Sequence, residues 1–185
     1  MTLSKDIEEN YKHFKNDFVD CSDFLVRKAK IGDKELFFAA CDGLIDSLQL
    51  SQMVVSPILK SEDISIDNIK NSITNCVELN EAKTFADCYY YIMSGFAIVV
   101  VDGENIALAF GIQNPPSRSV DEPTNEESTK APKEAFVEIL NTNKALLRKR
   151  LKTPHLKLKQ IKLASAAPAP CVIAYMDDRA DKELV

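Results

Sequence analysis

The chain lacks several features that would point to a particular chemistry. It contains no tryptophan, only two histidines and only five glycines among its 185 residues. With so few glycines, a glycine-rich loop that wraps phosphate groups is not expected. No apolar run exceeds the six residues of 96–101, whereas a membrane-spanning helix needs about 20. The acidic, amphipathic N-terminus also differs from a secretory signal peptide.

The cysteines and histidines do not follow a pattern of metal or disulfide chemistry. The five cysteines are an odd number, are widely spaced and include no Cys-x-x-Cys pair. His13 and His155 stand apart from them in sequence, and no Gly-x-Ser-x-Gly motif is present. We therefore predict small buried thiols in a reducing compartment. We predict no catalytic residue, no metal site and no cofactor, and the chain is not expected to be an enzyme.

Charge is weakly negative overall but strongly positive in one segment. The formal net charge is −5, which argues against a nucleic-acid-binding protein. Residues 144–162 nevertheless contain eight lysines and arginines and no acid. One interpretation is a surface that contacts anionic lipid headgroups or an acidic partner. The other is a solvated helix face followed by an edge strand protected by lysines. The sequence leaves both open.

Hydrophobic periodicity predicts an α/β fold. Apolar residues recur every three or four positions from Leu3 to Phe18, which is typical of a first amphipathic helix. Residues 34–41, 96–101 and 105–112 read as central strands of a mixed sheet. The last two flank an Asp-Gly pair, so they are expected to form a β-hairpin. We predict a largely buried sheet with helices packed against it.

Capping residues and prolines predict where the other helices begin and end. Pro57 is expected to end the helix that follows the second strand. Ser65 is the predicted N-cap of a short helix, and Asn80 is the predicted N-cap of a longer one that ends near Gly95. Pro132 suits the first turn of a later helix. The stripe that would bury this later helix consists of Phe136, Ile139, Leu140, Asn143, Leu146 and Leu147.

The end of the chain reads as the start of a further unit. After Pro154, leucines alternate with lysines, which predicts an edge strand. Residues 171–176 predict a final buried strand. A weak internal echo, in which an apolar strand is followed by two acids, suggests a repeated α/β unit. We therefore divide the chain into an α/β subdomain, residues 1–165, and the start of a second α/β unit that is cut short, residues 166–185.

Several polar residues allow both a functional and a structural interpretation. Asp42, Asp46, Asp102 and Asp177 follow predicted strands, where carboxylates could hold a metal or transfer protons. Turn and helix-cap chemistry explains the same positions more simply. Asn143 interrupts an apolar stripe, and a buried amide must be hydrogen-bonded. We interpret it as a tether to the preceding loop, with a ligand contact as the alternative.

The order of the motifs resembles a known family. The chain reads DGLID after the second predicted strand, then SGFAIVVVDG, then Glu122-Pro123, then APKEAFVEILNTNKALLRKRL, and finally CVIAYMDD. This order is similar to the N-terminal soluble domain of the A subunit of spore germinant receptors, the GerA spore germination family. The family usually has arginine where this chain has Lys133, and lysine cannot form the two-point fork of a guanidinium.

The resemblance implies a non-enzymatic part of a membrane receptor that triggers spore germination when nutrients appear. It implies two α/β subdomains on the cytoplasmic side of the spore inner membrane. Expected partners are other germinant receptor subunits (B and C types), a second copy of the chain or an anionic membrane surface, and no nucleic acid.

We expect a role in receptor assembly and signal transmission. The alternative is a sensor domain that binds the germinant or another small solute. The long loop at residues 113–131 is a further contact surface, because loops of this length are usually functional. The candidate interaction residues are Glu122, Pro123, Lys133, Asn143, Arg148, Lys149 and Arg150.

Overall fold

The computed structural model describes residues 1–114, 135–163, 168–181 and 183–185, without the side chain of residue 72. The strands are β1 (Phe24–Ile31), β2 (Lys34–Cys41), β3 (Leu79–Ala82), β4 (Phe96–Val101), β5 (Ala107–Gly111), β6 (Leu156–Leu163) and β7 (Ala169–Met176). The helices are α1 (Ile7–Asp17), α2 (Ser47–Gln49), α3 (Ser56–Lys60), α4 (Ile66–Asn68), α5 (Phe85–Met93) and α6 (Leu140–Arg150). Two π-helical segments, π1 (Leu50–Val55) and π2 (Ile69–Ile73), connect α2 to α3 and follow α4. The predicted α/β class is confirmed.

A five-stranded sheet forms the centre of the molecule. Its order is β1-β2-β4-β5-β3, and all of its neighbouring strands are antiparallel. The three strands predicted to be central are therefore β2, β4 and β5, as expected. The predicted hairpin is present, because Val99 pairs with Leu108 across β4 and β5. Gly32 has a φ of +60° and turns β1 into β2, a conformation that glycine adopts without strain.

One face of this sheet packs against α1 and α5. Successive residues of a strand point to opposite faces, so Phe37 and Ile98 lie on this side. Phe14 of α1 is fully buried and its ring lies 5.4 Å from the ring of Phe37. The helix begins at Asp6, whose carboxylate accepts a hydrogen bond from the Glu8 N–H. The periodicity of the first helix therefore gave the correct buried face, and we call this side the α1 face.

The opposite face packs against the segment from α2 to π2. Phe38 and Val99 point to this side and contact Val54, Ile58 and Ile69, all of which are buried. Ser65 caps α4 by accepting a hydrogen bond from the Asn68 N–H, as its position in the sequence predicts. Helical segments therefore cover both faces of the sheet, although they leave part of the opposite face open near β1.

Two predicted helix boundaries are wrong. The helical segment continues beyond Pro57 to Lys60, because Pro57 is the second residue of α3, where a missing N–H costs little. Asn80 lies in β3 opposite Ala109 and caps no helix. The cap of α5 is Thr84, which forms a reciprocal capping box with Asp87. Pairing with β5 takes residues 79–82 into the sheet, so the helix starts later than its apolar pattern indicates.

A second, two-stranded sheet consists of β6 and β7, which pair along their full lengths. Only the first three residues of β6 are buried, and every residue of β7 is at least partly exposed. The prediction of a buried final strand is therefore wrong, because in the described part of the chain no further strand joins this sheet. The division into residues 1–165 and 166–185 stays a prediction, and the β6–β7 hairpin runs across that boundary.

Candidate functional site

Helix α6 begins later than its sequence indicates and buries a different face. Residues 135–139 are not helical, and Phe136 and Ile139 are 65% and 64% exposed. The predicted apolar stripe is therefore wrong for these two residues. The side chains that α6 buries are Lys144, Ala145, Leu146 and Arg148. A helix face that contains two cations needs a polar partner inside the protein.

Gly43 makes room for this face of α6. It follows β2 with a φ of +81°. A β-carbon on Gly43 would lie 3.0 Å from the Ala145 Cβ and 3.3 Å from the Asn141 carbonyl oxygen. The backbone of the turn and the backbone of the helix therefore approach each other closely, which only a glycine and a small partner allow. This approach places Arg148, one turn beyond Ala145, over the end of the sheet.

Arg148 forms a two-point ion pair with Asp23, the residue before β1. The Arg148 Nε–H and Nη2–H donate to Oδ2 and Oδ1 of Asp23, both at 2.9 Å. The Nη1–H group donates to the Thr153 carbonyl at 3.0 Å and to the Leu156 carbonyl at 2.9 Å. Both side chains are 1% exposed. We call this group of contacts the clasp, because it joins the large sheet, α6 and the start of β6.

Two cysteines lie against the clasp. The Cys41 thiol donates to Asp23 Oδ2 at 3.0 Å, and the Cys21 thiol donates to the Leu156 carbonyl at 3.6 Å. Burial, together with the negative charge of Asp23, raises the pKa of the Cys41 thiol well above its usual value. Burial also raises the pKa of Cys21. Both thiols stay protonated at neutral pH and act as weak donors rather than nucleophiles.

The positive charge of Arg148 is stabilised by its contacts with Asp23. Burial disfavours a charged guanidinium, but the hydrogen bonds and charge of Asp23 outweigh it, so the pKa of Arg148 is raised. Three chain segments supply the atoms: Asp23 directly before β1, Arg148 in α6, and the carbonyls of Thr153 and Leu156 just before and at the start of β6. A buried ion pair that loses one partner costs about 3–5 kcal/mol. The clasp therefore couples these segments strongly.

Further contacts attach the β6–β7 hairpin to the segment between α1 and β1. The Leu158 N–H donates to the Asp20 carbonyl at 3.0 Å, and the Ser22 N–H donates to the Leu158 carbonyl at 3.1 Å. The Lys157 ammonium donates to the Asp17 carbonyl at 2.6 Å. The Tyr175 hydroxyl of β7 donates to the Asp20 carboxylate at 3.0 Å. The hairpin therefore rests on residues 17–22 beside the clasp.

The structure places the predicted interaction residues in different environments. Arg148 is fully buried, so it cannot belong to an exposed basic face, and this part of the prediction is wrong. Its side chain is drawn inward because Asp23 offers it a carboxylate. Lys149 and Arg150 are exposed, and each has an interaction partner. Glu122, Pro123 and Lys133 lie outside the described residues, as does most of the loop at residues 113–131.

Asn143 holds the chain that leads into α6. Its Oδ1 accepts a hydrogen bond from the Val137 N–H at 2.8 Å, and its Nδ2 donates to the Val137 carbonyl at 2.6 Å. The Asn143 side chain thus provides the hydrogen-bond partners of both backbone groups of Val137, which lies outside the helix. Its interpretation as a tether fits these contacts, although the tethered residue is one that the apolar pattern placed inside the helix.

The acids that follow predicted strands mostly serve the backbone. Asp46 accepts from the N–H groups of Leu48 and Gln49, and Asp42 accepts from the Gly43 N–H. Asp102 accepts from the N–H of residue 7. These contacts are the turn and cap chemistry that the sequence favoured over a metal or acid–base role.

Asp177 belongs to a small polar cluster at the end of the β6–β7 hairpin. Its carboxylate lies 2.8 Å from His155 Nδ1 and 3.1 Å from Lys157 Nζ. Ligand atoms of His155, Asp177 and Asp178 lie within 4.8 Å of one another. All three side chains are at least partly exposed, and the Lys157 ammonium already compensates the charge of Asp177. The geometry is that of a surface ion-pair network.

Asp23 is the member of the site that the sequence analysis did not identify. It stands between Ser22 and β1 and resembles any polar residue that precedes a strand. The only local signal was a charged residue followed directly by the apolar run of β1. Its partner Arg148 is 125 residues away, and that distance removes any local pattern linking the two.

Comparison with known proteins agrees with this architecture. The statistical model of the family described as "Bacillus/Clostridium GerA spore germination protein" matches residues 12–185. The chain belongs to the GerA family. It is 30% identical over 193 aligned residues to "Spore germination protein B1" of Bacillus subtilis strain 168, and the alignment covers 100% of this chain and 39% of that protein. It is 29% identical to "Stage V sporulation protein AF" of the same organism, with 96% and 37% covered.

A solved structure shares the fold of this GerA-family chain. The crystal structure of the N-terminal domain of the A subunit of the Bacillus megaterium spore germinant receptor GerK3 superposes with a TM-score of 0.70 at 23% identity. The match covers 99% of this chain and 69% of that one. The resemblance drawn from the motifs is thus confirmed for family and fold.

The chain spans about two fifths of the length of these two relatives. Of the helices that the structure describes, none is both long enough and apolar enough to cross a bilayer.

Proposed function

We propose that this chain is the soluble N-terminal domain of a spore germinant receptor A subunit, and that it acts in receptor assembly and signal transmission without catalysis. Its family membership and its fold support the first part of this proposal. The clasp supports the second part, since it is a buried polar link between the large sheet, α6 and the hairpin. We propose that the domain lies on the cytoplasmic side of the spore inner membrane.

The clasp can transmit a displacement from one part of the domain to another. A guanidinium and a carboxylate that pair at two points tolerate little change in angle or distance. A displacement of the β6–β7 hairpin therefore either carries α6 and the start of β1 with it or breaks a buried ion pair. Because intermediate positions are costly, the unit favours two discrete arrangements over a continuous range.

The exposed side of α6 is the proposed contact surface. Lys149 and Arg150 follow Arg148 directly but point to solvent. We propose that they face an acidic surface on a B- or C-type receptor subunit, a second copy of the chain or anionic lipid. Glu122, Pro123 and Lys133 stay proposed contact residues of the neighbouring loop. Asn143 contributes by fixing the chain that leads into α6.

Germination assays with clasp variants test the transmission role. Arg148→Lys keeps the positive charge and loses the two-point fork, whereas Lys152→Met, at an exposed position just beyond α6, is the control. Spores that carry each variant are compared for receptor abundance and for the rate at which nutrients trigger germination. We expect slower germination for Arg148→Lys after the rate is divided by receptor abundance. Normal germination together with normal abundance would contradict transmission through the clasp.

Charge reversal tests the contact surface separately. The double variant Lys149→Glu/Arg150→Glu is expected to reduce copurification with the other receptor subunits, and the melting temperature of the purified variant domain checks that it is folded. The matched control is Lys34→Glu/Lys60→Glu, which reverses two exposed lysines outside α6. An undiminished yield of the complex from the Lys149 and Arg150 variant would contradict the proposed contact.

A second candidate function is the binding of a small solute. It is favoured by a pocket of about 320 Å³ on the face of the large sheet opposite α1. Of the described residues that line this pocket, none belongs to the clasp, so separate variants can test the two functions.

A further inference from the structure

The pocket opposite the α1 face is built by cross-strand pairs of β1 and β2. Leu25 pairs with Ala40, and Arg27 pairs with Phe38. Residues directly opposite each other in an antiparallel pair point to the same face, so all four side chains lie on this side. Ala97 of the neighbouring strand β4 completes the floor. The small side chains of Ala40 and Ala97 leave the space that larger residues fill elsewhere on this face.

The helical segment forms the other side of the pocket. Leu50 adds an apolar wall, and Ser47 and Ser51 place two hydroxyl groups at the rim. This segment changes from α-helical to π-helical at Leu50, and π-helical turns are frequent at functional sites. The cavity holds about 320 Å³, at the lower end of the volumes of small-molecule sites.

Arg27 sets the charge of the rim. It is exposed, and within the described residues it forms no ion pair. Among the described residues that line the pocket, none is acidic. Asp46, beside Ser47 in sequence, already accepts two backbone hydrogen bonds as a helix cap. The rim therefore offers one cation and two hydroxyl donors above an apolar floor.

We propose that this pocket binds a small aliphatic carboxylate. The carboxylate pairs with the Arg27 guanidinium, whose planar fork matches its geometry, and the hydroxyls of Ser47 and Ser51 provide further donors. The aliphatic body lies on Ala40 and Ala97 between Leu25 and Leu50. This inference gives the second candidate function a site and a ligand class, and it does not depend on the clasp.

The charge of the site predicts its selectivity. The probe is 4-methylpentanoate, and it is compared with leucine, which adds an ammonium group, and with 4-methylpentan-1-ol, which lacks the carboxylate. The ammonium of leucine would lie near Arg27 with no acid to accept it, so leucine should bind less tightly. The alcohol loses the charge-assisted pair. The expected order is therefore carboxylate first, with both analogues about tenfold weaker or more.

Two variants of the purified chain test the site. Arg27→Gln removes the cation, and its control is Lys30→Gln on the same strand, which pairs with Glu35 and points to the α1 face. Ser51→Leu fills the pocket from an exposed helical position and leaves the core intact. Binding is followed by calorimetry and by backbone amide chemical shifts, and the melting temperature of each variant checks that it is folded.

The inference expects saturable binding of 4-methylpentanoate, with shift changes centred on Ala40 and Ala97. Arg27→Gln and Ser51→Leu should each weaken this binding about tenfold or more, whereas Lys30→Gln should leave it unchanged. Absence of binding, equal binding by Arg27→Gln, or shift changes centred elsewhere would overturn it. A groove that instead receives a side chain of a partner protein would give no response to the free carboxylate.

Discussion

Gly43 and Ala145 pack so closely that a β-carbon on Gly43 would lie 3.0 Å from the Ala145 Cβ. One residue lies within the turn after β2, and the other lies in the middle of α6. This contact decides how near the helix comes to the sheet, and Arg148 reaches Asp23 only because the helix comes this near.

Gly43→Ala should therefore destabilise the domain by about 1–3 kcal/mol, since it combines a left-handed backbone with a close contact. Gly103→Ala is the matched control, because Gly103 has nearly the same φ of +83° and a β-carbon added to it would meet nothing within 4 Å. Urea unfolding of both variants measures the difference. Equal decreases in the free energy of unfolding would show that the close approach to Ala145 does not affect stability.

Arg148→Met should lower the free energy of unfolding by about 3–5 kcal/mol, because it leaves the Asp23 carboxylate buried without a cation. Lys152→Met, at an exposed position two residues beyond α6, should change it by about 0.5 kcal/mol or less.

The double variant Asp23→Leu/Arg148→Met should recover part of the loss of the single variant, since no unpaired charge remains inside. Denaturant titrations of the three proteins form the test. A double variant less stable than Arg148→Met alone would contradict this account.

Thiol alkylation should follow the burial and the pKa of each cysteine. Burial raises the pKa of Cys88 to about 12 and raises those of Cys21 and Cys41 as well. Cys76 and Cys171 are only partly buried, and burial raises the pKa of the Cys76 thiol, so Cys171 should react first with iodoacetamide in the native protein. Peptide mass spectrometry after timed labelling gives the order, and a chain unfolded in urea is the control. Rapid labelling of Cys41 in the native protein would contradict the closed clasp.

The cap of α5 predicts a pH dependence. The hydrogen bond with the Thr84 side chain, followed by those from backbone N–H groups, lowers the pKa of Asp87 below its usual value of 3.8. A carboxylate with a lowered folded pKa contributes stability that is present above the unfolded value and is lost as pH falls through the folded value.

Asp87→Asn keeps an acceptor oxygen and removes the charge, so the wild type should exceed the variant in stability at neutral pH. The difference should disappear at a pH below the folded pKa of Asp87. Thermal melts across pH measure this difference. A gap that stays constant from neutral to strongly acidic pH would rule out the charge of Asp87 as its cause.

Asn143→Ala should lower the free energy of unfolding by about 1–2 kcal/mol, since both backbone groups of Val137 lose their hydrogen-bond partner. Asn141→Ala is the control, because the Asn141 side chain lies on the exposed side of α6. Hydrogen exchange at the Val137 amide should quicken in the first variant only. Unchanged exchange at Val137 would argue that another group holds this segment.

The predictions that succeeded rest on local patterns. The short continuous apolar runs around Phe37 and Ile98 and the Asp-Gly pair between β4 and β5 specify strands and a hairpin within a few residues. The predictions that failed depend on partners distant in sequence. Asn80 lies in a strand because β5 offers an open edge, and α6 buries Arg148 because Asp23 lies at the end of the sheet beneath it. A helical stripe of leucines cannot reveal a carboxylate 125 residues away.

By itself the sequence determined the family, the α/β class and the central strands, because periodicity, turn residues and the order of motifs are all encoded over short distances. Only the tertiary structure decided that the basic segment divides into a buried Arg148 and an exposed Lys149 and Arg150. The physical reason is that a buried charge must find its counter-charge in space, and in this protein Gly43 and the β1–β2 hairpin bring that counter-charge within 2.9 Å.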